Sequence, residues 1–300
     1  MKILVTGSNG FIGSSLAVKL NSIGHIVRGA VRERSDLPDA GMAYDRISVG
    51  SIDSSTDWTM ALHGIDSVVH LAARVHVMTE TSSDPLSAFY KVNLDGTVRL
   101  AEQAVESGVR RFVYVSTIKV NGEKTDKHSF VADDEPKPLD PYSLSKAEAE
   151  RQLLKITADS NMEVVIVRPP LVYGPGVGGN FLRLMKVVER GIPLPLASVK
   201  NARSMISLDN ITNFLAHCLE HPKAAGRIFL VSDGIDWSTP MLIRSIARHM
   251  DMRARLFPFP PLLLRLMGRI SGQAGAYNRL CDSLKLDIAK TCELLDWAPP

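Results

Sequence analysis

The most constraining feature of this sequence is a set of three glycines that follows a short apolar segment at the start of the chain. Residues 2–6 (KILVT) are largely apolar with β-branched members, as in a buried strand, and Gly7, Gly10 and Gly13 come next. Apolar residues then recur at helical spacing, and residues 25–32 predict a second strand. A strand, a glycine loop, a helix and a further strand form a βαβ unit, which is right-handed by default. The sequence therefore predicts a parallel sheet that begins with the first residues.

Each of the three glycines has a separate task in such a unit. Gly7 permits a tight turn, Gly10 lets backbone amides approach a pyrophosphate, and Gly13 lets the helix pack close to the strand. The positive end of the helix then faces the phosphates. We therefore predict a dinucleotide site in this loop. Its candidate contacts are Gly7, Ser8, Asn9, Gly10, Phe11, Ile12 and Gly13.

Composition limits the classes of protein to which this chain can belong. Its 300 residues are 45% hydrophobic with a formal net charge of +3, so a sizeable core fits into one large or two modest domains. The basic residues are scattered, which argues against a nucleic-acid partner. Three cysteines, Cys218, Cys281 and Cys292, lack metal-ligand spacing, so we predict reduced thiols and no metal site.

The sequence also bears on location. The N-terminus lacks the pattern of a signal peptide, and we expect a cytoplasmic protein. The longest apolar stretch, residues 256–270, is interrupted by prolines and arginine and is too short to span a bilayer. We interpret it as packing within a substrate-binding lobe, with contact to a membrane surface as the alternative.

A second motif lies in the middle of the chain, in DPYSLSKAEAE (residues 140–150). Asp140 is a suitable helix N-cap and Pro141 suits the first helical position. Tyr142 and Lys146 then share one face of that helix, four residues apart. An ammonium beside a phenol, together with the positive ring of an oxidised nicotinamide, lowers the phenol pKa toward neutrality. Tyr142 is therefore a candidate acid/base for a reaction that transfers hydride.

The T-G-x-x-G-x-x-G spacing followed by this Tyr–Lys pair resembles the extended branch of the short-chain dehydrogenase/reductase superfamily. The resemblance covers nearly the whole chain and implies that Thr117 joins Tyr142 and Lys146 as a catalytic residue by hydrogen bonding the reacting oxygen. It also implies that Tyr142 and Lys146 contact the cofactor. Beyond the glycine loop, the implied cofactor contacts are Arg32, Ser51, Ile52, Leu71, Ala72, Ala73, Asn93, Ser116 and Pro169.

The remaining segments predict an α/β fold, a Rossmann-like doubly wound parallel sheet with a smaller C-terminal substrate-binding lobe. Strand-like segments at 67–73, 111–123, the first part of 164–176 and 227–234 alternate with helical ones. Ligands of such sheets collect at the carboxyl ends of the strands. We expect the dinucleotide-binding domain to comprise residues 1–172 and about 204–232. The lobe then comprises about 173–203 and 233–300.

Several segments resemble a subgroup of the family that acts on UDP-sugars, including epimerase-like proteins and 4-keto sugar reductases of O-antigen and capsule synthesis. The resemblance implies that Asn180 and Phe181 contact the nucleotide and that Arg203 binds its phosphates. A planar guanidinium suits that role because it donates two hydrogen bonds at once. Arg279 is a looser second candidate, and His76 is a candidate sugar contact. Relatives often pair through a four-helix seam, so a homodimer is expected.

The end of the second predicted strand bears on the choice of dinucleotide. Val31 stands where NAD-binding relatives carry an acidic residue on the ribose, and Arg32 follows. A carboxylate accepts a hydrogen bond from a ribose 2′-hydroxyl, whereas arginine suits a 2′-phosphate. The sequence therefore favours NADP(H). NAD stays open because Glu33 and Asp36 are near enough to reach the ribose.

Cofactor choice carries over to the reaction. A reductase delivers hydride once and exchanges its dinucleotide, whereas a 4-epimerase retains it and causes no net oxidation. We expect reduction of a UDP-4-keto-6-deoxy-hexosamine, with a UDP-glucose or UDP-GlcNAc 4-epimerase as the alternative. A non-catalytic NADP-binding sensor or scaffold is more remote, because both Tyr142 and Lys146 are present. Ile118 and Lys119 stand where dehydratases of the family carry an acidic pair, which argues against dehydration.

Overall fold

A computed structural model describes residues 1–33, 44–75, 84–270 and 274–300 of the chain. Seven strands form one parallel sheet, and three short strands form a second sheet. The strands are β1 (Lys2–Thr6), β2 (Ile26–Val31), β3 (Asp45–Ser48), β4 (Ser67–His70), β5 (Arg111–Val115), β6 (Glu163–Arg168), β7 (Leu171–Tyr173), β8 (Arg203–Ser207), β9 (Arg227–Leu230) and β10 (Asp236–Trp237). The order in the large sheet is β3-β2-β1-β4-β5-β6-β9, which confirms the doubly wound arrangement.

Helices cover both faces of the large sheet. They are α1 (Phe11–Ser22), α2 (Thr59–Leu62), α3 (Pro85–Tyr90), α4 (Gly96–Glu106), α5 (Pro141–Ala158), α6 (Gly179–Glu189), α7 (Leu208–Glu220), α8 (Thr239–His249), α9 (Pro261–Ile270), α10 (Ala274–Cys281) and α11 (Ala289–Leu295). One core joins α1 and α7 to the sheet, and the other joins α2, α4 and α5 to its opposite face. Strands buried on both faces read as continuous apolar runs, which explains why β5 and β6 were recognisable in the sequence.

The second half of the chain forms a smaller cluster of its own. Val188, Leu196, Ile243 and Leu264 are its buried centre, and helices α6, α8, α9 and α10 contribute to it. β7, β8 and β10 form the small sheet, with β7 and β8 parallel and β8 and β10 antiparallel. This arrangement is compatible with the predicted lobe, whose boundaries stay a prediction.

Residues 286–297 (LDIAKTCELLDW) have the spacing of an amphipathic helix, but the helix is shorter in the structure. α11 begins only at Ala289, because the preceding residues are held in an extended pairing with a distant loop. Leu286 forms an isolated parallel bridge with Phe130, and the Asp287 amide donates to the Phe130 carbonyl at 2.9 Å. The helical spacing of the sequence therefore overstates this helix at its N-terminus.

Among the described residues, no helix has both the length and the apolar character needed to cross a membrane.

A buried ion pair connects β6 to α5. The Arg168 guanidinium donates to the Glu150 carboxylate at 3.0 and 2.5 Å, and both side chains are almost completely buried. Asn121 Oδ1 accepts a further bond from Arg168 at 3.0 Å. A buried charge without its partner is far more costly than a lost surface pair. This pair therefore fixes α5 against the sheet.

Replacing Glu150 by Gln should lower the free energy of unfolding by about 3–5 kcal/mol, because Arg168 would keep a buried charge without its carboxylate. Urea denaturation at pH 7 measures the change. Glu148→Gln is the matched control on the same helix, since its pair with Arg151 is largely exposed and should contribute less than about 1 kcal/mol. Equal losses in the two variants would contradict this account.

Candidate active site

The glycine loop packs so closely that two of its three glycines cannot carry a side chain. Gly7 has a φ of +64°, and a Cβ there would lie 3.0 Å from the Ala72 amide nitrogen. A Cβ on Gly13 would lie 2.1 Å from the Gly7 carbonyl oxygen. Gly7 therefore brings the end of β1 against the segment after β4, and Gly13 brings α1 against the loop. Both agree with the tasks that the spacing predicts.

The N-terminus of α1 has amide groups that are available to bind an anion. Gly10 is the N-cap residue and supplies no side-chain hydrogen bond, and the first turn contains no acidic residue. Within the described residues, the amides of Phe11, Ile12 and Gly13 have no hydrogen-bond acceptor. Unsatisfied amides at the positive end of a helix form a binding site for phosphate. These observations fit the pyrophosphate of a dinucleotide.

The other predicted residues around this loop contribute in different ways. Ser8 is fully buried and its hydroxyl faces the Ala30 carbonyl at 3.5 Å, so its side chain points into the protein. Asn9 is exposed at the tip of the loop. Ser51 and Ile52 follow β3, and Ile52 packs on Gly96, where a Cβ would lie 2.4 Å from Ile52 Cγ2. Ile52 therefore fits the start of α4 closely.

The end of β2 carries no acidic side chain. Val31 is 2% exposed, so the position that is acidic in NAD-binding relatives is a buried valine here. Arg32 is exposed at the strand end, and its carbonyl accepts a bond from the Ser48 hydroxyl at 3.2 Å. Asp36, the more distant candidate for the ribose, lies outside the described residues.

Helix α5 begins as its sequence predicts. Asp140 is the N-cap, its carboxylate accepts from the Ser143 amide at 2.7 Å, and the Ser143 hydroxyl accepts from the Asp140 amide at 3.1 Å. Pro141 occupies the first helical position. Lys119 Nζ lies 2.6 Å from the Asp140 carboxylate and links the end of β5 to this cap. The cap fixes the turn that carries Tyr142.

Burial shifts the two candidate catalytic side chains in opposite directions. Desolvation, and after it the charge of Asp140, raises the pKa of Tyr142 well above its ordinary value. Desolvation lowers the pKa of Lys146 to about 7, although Glu150 acts against the shift. Lys146 Nζ stands 4.1 Å from the centre of the Tyr114 ring, a cation–π geometry, and Phe89 packs edge-on against Tyr142. Burial thus favours the neutral forms of both groups.

Hydroxyl groups lie beyond the carboxyl end of β5, next to the end of β6. Ser116 Oγ is buried and has no hydrogen-bond partner within the described part of the chain. Thr117 is partly exposed, and its Oγ1 accepts a long bond from the Lys119 amide at 3.3 Å. The Ile118 amide donates to the Pro169 carbonyl at 3.0 Å, which ties the two strand ends together. A buried hydroxyl without a partner is the kind of group that a bound cofactor satisfies.

A buried histidine that sequence reasoning missed connects the glycine loop to this site. Thr6 Oγ1 accepts from the amides of Leu71 and Ala72, both at 3.1 Å, so its own proton points to His70 Nδ1 at 2.7 Å. The ring proton of His70 therefore lies on Nε2 and is donated to Thr97 Oγ1 at 2.9 Å. Thr97 in turn donates to the Asn93 carbonyl at 2.7 Å.

Asn93, one of the predicted cofactor contacts, continues this chain of hydrogen bonds to α5. Its side chain is buried and brackets Arg74, accepting from the Arg74 amide at 2.8 Å and donating to the Arg74 carbonyl at 3.0 Å. It also donates to Ser145 Oγ at 3.0 Å, and Ser145 donates to the Tyr142 carbonyl. Asn93 thus positions two parts of the site. One is the segment that follows Leu71, Ala72 and Ala73, and the other is the first turn of α5. Sequence reasoning had no signal for His70, because its two hydrogen-bond partners, Thr6 and Thr97, come from separate segments.

The lobe presents an apolar cavity and two arginines. Phe181, near the start of α6, stacks on Tyr173 with ring centres 6.0 Å apart, and Asn180 beside it is exposed. Both rings line a cavity of about 440 Å³ together with Met185, Met205, Trp237, Leu242, Ser245, Ile246, His249 and Met250. His76, the predicted sugar contact, lies outside the described residues.

Arg203 and Arg279 influence each other electrostatically. Arg203 donates to the Asp282 carbonyl at 3.0 Å. Burial lowers the pKa of Arg203, Asp282 acts in the opposite direction, and the positive charge of Arg279 lowers it further. The structure therefore brings the two predicted phosphate ligands into one region, where an anion between them would offset their repulsion.

A larger cavity, of about 740 Å³, lies along the edge strand β9 and α11. It contains none of the predicted site residues. Among the described residues, no group of three or more metal-ligating side chains is found.

The glycine loop, the strand-end hydroxyls and the Tyr–Lys helix define a dinucleotide-dependent enzyme of the short-chain dehydrogenase/reductase type. A family model described as the NAD dependent epimerase/dehydratase family matches residues 3–232, and the chain belongs to this family.

Two curated relatives match almost the whole chain. A UDP-glucose 4-epimerase of Vibrio cholerae is 45% identical over 301 residues, which cover 99% of this chain and 90% of that protein. An N-acetyl-α-D-glucosaminyl-diphospho-ditrans,octacis-undecaprenol 4-epimerase of Escherichia coli O157:H7 is 24% identical over 96% of this chain and 88% of its own length.

Solved structures of the same architecture carry NAD. MoeE5 in complex with UDP-glucose and NAD has a TM-score of 0.79 and 25% identity, covering 100% of this chain and 94% of that chain. A UDP-glucuronic acid 4-epimerase of Bacillus cereus in complex with NAD has a TM-score of 0.78 at 23% identity, over 100% of this chain and 94% of that chain. The latter shows the shared fold.

Neutral His70 predicts a component of acid sensitivity. Desolvation, and after it the charge of Lys146, lowers its pKa in the folded protein to about 3, whereas the unfolded chain binds that proton near pH 6.5. The folded pKa is the lower one, so stability is present above about pH 6.5 and is lost as pH falls. Between pH 7 and pH 5, the free energy of unfolding should fall by about 2 kcal/mol more in the wild type than in His70→Gln.

Urea denaturation of the two proteins at both pH values measures this difference, since the carboxylates are common to both and cancel. His128→Gln, at an exposed position, is the control and should lose as much stability as the wild type. A His70→Gln variant with the same pH dependence as the wild type would refute the buried neutral state.

Proposed function

We propose that this protein interconverts the C4 epimers of a UDP-linked hexose, with NAD retained in the site. The observation that carries the proposal is 45% identity to a UDP-glucose 4-epimerase over 99% of the chain. Tyr142, Lys146 and Thr117 are the candidate catalytic residues for that reaction. This identity favours 4-epimerisation, the alternative predicted from the sequence, over reduction of a keto sugar, which was the preferred prediction. NAD, rather than NADP, is the dinucleotide in the solved relatives.

The chemistry needs a base that can accept and return one proton. Tyr142 takes the proton of the sugar O4 as C4 is oxidised to a ketone, and gives it back after the sugar has turned its other face. Thr117 hydrogen bonds the same oxygen and holds it near the phenol. A bound NAD⁺ supplies a reversible hydride acceptor and a positive charge. Atoms and electrons balance over the cycle, since the proton and the hydride both return to the sugar.

The pKa values of the site make that base dependent on its ligand. Burial raises the pKa of Tyr142 and lowers that of Lys146 to about 7. A positive charge beside the phenol favours its ionised form. We infer that the charge of Lys146 and that of a bound NAD⁺ together offset the burial of the phenol and make Tyr142 an effective base.

The lobe supplies complementary groups for a nucleoside diphosphate. Arg203 and Arg279 carry adjacent positive charges for the diphosphate, and guanidinium pairs with phosphate in a bidentate manner. The stacked rings of Phe181 and Tyr173 form an aromatic wall for the planar base. Asn180 remains a candidate contact on the open end of α6.

NADPH-dependent reduction is the second candidate, and one observation favours it. The end of β2 has a buried valine, Val31, at the position that is acidic in NAD-binding relatives, and an exposed arginine, Arg32, follows it, with Glu33 next in the chain. Arginine there suits a 2′-phosphate. A reductase would also need an exchangeable dinucleotide, so the two candidates differ in what the purified protein retains.

The deciding experiment combines the identity of the retained dinucleotide with turnover. The protein is purified, denatured, and its released nucleotide identified by mass. The intact protein is incubated without added cofactor with UDP-glucose and, separately, UDP-GlcNAc. We expect retained NAD and formation of the corresponding galacto epimer, which chromatography detects. NADPH oxidation with a UDP-4-keto-6-deoxy sugar, without epimer formation, would instead establish the reductase.

Replacing Tyr142 by Phe should lower kcat by about 10²–10⁴-fold, because the proton of O4 loses its acceptor, while retained NAD is unchanged. Tyr90→Phe, in the nearby helix α3, is the matched control and should keep wild-type turnover. If Tyr142→Phe retained full turnover, the proposed base would be wrong. Loss of the bound dinucleotide in that variant would instead point to a structural role.

Replacing Arg203 or Arg279 by Gln should raise the KM for the UDP-sugar by about 10-fold or more, since each loses a charge-assisted contact to phosphate. Steady-state kinetics of both single variants and the double variant measure the effect. Because both arginines would hold one diphosphate, their effects should be non-additive. An unchanged KM in Arg279→Gln would restrict the clamp to Arg203.

A further inference from the structure

Helix α9 carries most of its large apolar side chains on the outside of the protein. Residues four apart share a face of a helix, so α9 divides into rows. Leu262, Leu266 and Ile270 form one row, exposed by 77%, 53% and 79%, and Leu263 and Met267 form the adjacent row, exposed by 47% and 57%. Five large apolar side chains are thus exposed on a helix of ten residues.

The opposite side of α9 is fixed in the lobe. Leu264 is 4% exposed, and Gly268, in the same row, packs so tightly on α10 that a Cβ would lie 2.8 Å from Tyr277 Cβ. This buried row determines which face points outward. The helix therefore cannot rotate to bury the exposed rows, and the apolar surface is part of the fold.

The segment that carries this surface is predominantly basic. Residues 252–281 contain five arginines and no aspartate or glutamate. Arg265 and Arg269 form the row of α9 beside the apolar face. Arg265 is bound to Asp282 at 2.7 Å, and Arg269, Arg253 and Arg255 are exposed. Arg279 belongs to the candidate substrate site.

We propose that the exposed face of α9 docks on the surface of an anionic lipid bilayer. An apolar face beside arginines fits the boundary between acyl chains and negatively charged headgroups. A second copy of the chain is a poorer occupant, because a two-fold contact through α9 would set arginines against arginines. At about 15 Å the helix is half the thickness of a hydrocarbon core, so it would lie in the interface.

This inference is independent of the proposed reaction. Docking through α9 leaves the glycine loop, α5 and the strand ends of the large sheet untouched, because none of those residues belongs to α9. Epimer formation and vesicle binding are therefore separate readouts, and either can fail without the other.

The test is flotation of the purified protein with vesicles of phosphatidylcholine containing 30% phosphatidylglycerol, beside vesicles of phosphatidylcholine alone. We expect partition into the anionic vesicles that is at least about tenfold stronger and that weakens when salt is raised to about 0.5 M. The triple variant Leu262→Ser, Leu266→Ser, Ile270→Ser should lose at least about tenfold of that partition, with turnover of soluble substrate unchanged.

A matched triple variant replaces exposed apolar residues in the N-terminal part of the chain, outside α9. It should bind like the wild type. It carries Ile23→Ser, Ile26→Ser and Met60→Ser. Arg269→Gln should weaken binding about fivefold. Equal binding by both triple variants, or no preference for anionic vesicles, would overturn the proposal. Self-association abolished by the α9 variant, without vesicle binding, would overturn it in favour of a second copy.

Discussion

The arrangement of the candidate site depends on the contact between the glycine loop and the segment that follows β4. Gly7 lies so near the Ala72 backbone that no other residue fits, and the Thr6 hydroxyl beside it accepts both amides of that segment. Through His70 the same hydroxyl determines the direction of the hydrogen bonds that reach Asn93. The phosphate site and the catalytic helix are thereby placed by one network. A substitution at the centre of this network, at His70, should therefore affect both the phosphate site and α5.

The same packing buries the two candidate catalytic side chains. Tyr142 and Lys146 stand on a helix whose cap is held by an ion pair from Lys119, and burial opposes the charge on both side chains. The buried pair of Arg168 and Glu150 and the apolar core on that face of the sheet hold α5 in position. Preorganisation of this kind leaves little rearrangement for the moment of reaction.

Much of this architecture was predictable because parallel strands are apolar on both faces and because the glycine spacing and the Tyr–Lys pair are local patterns. The doubly wound parallel sheet, the cap of α5 and the position of Thr117 at a strand end followed from them. The role of His70 was not predictable, since it depends on two partners, Thr6 and Thr97, that are far apart in the sequence. The start of α11 was misjudged for a related reason: its first residues pair with Phe130, a contact that periodicity does not reveal. The proximity of Arg203 and Arg279 likewise appears only in three dimensions.

The choice between epimerisation and reduction depends on a different kind of information. Hydride and proton chemistry is the same in both reactions, so Tyr142, Lys146 and Thr117 serve either one. What separates them is whether the dinucleotide leaves, and that depends on the summed contacts along its whole length. A single arginine at the end of β2 changes one of those contacts, whereas 45% identity over the full chain concerns all of them. For that reason the likeness to an epimerase outweighs Arg32, and the position of Val31 is better explained as core packing than as a choice of phosphate.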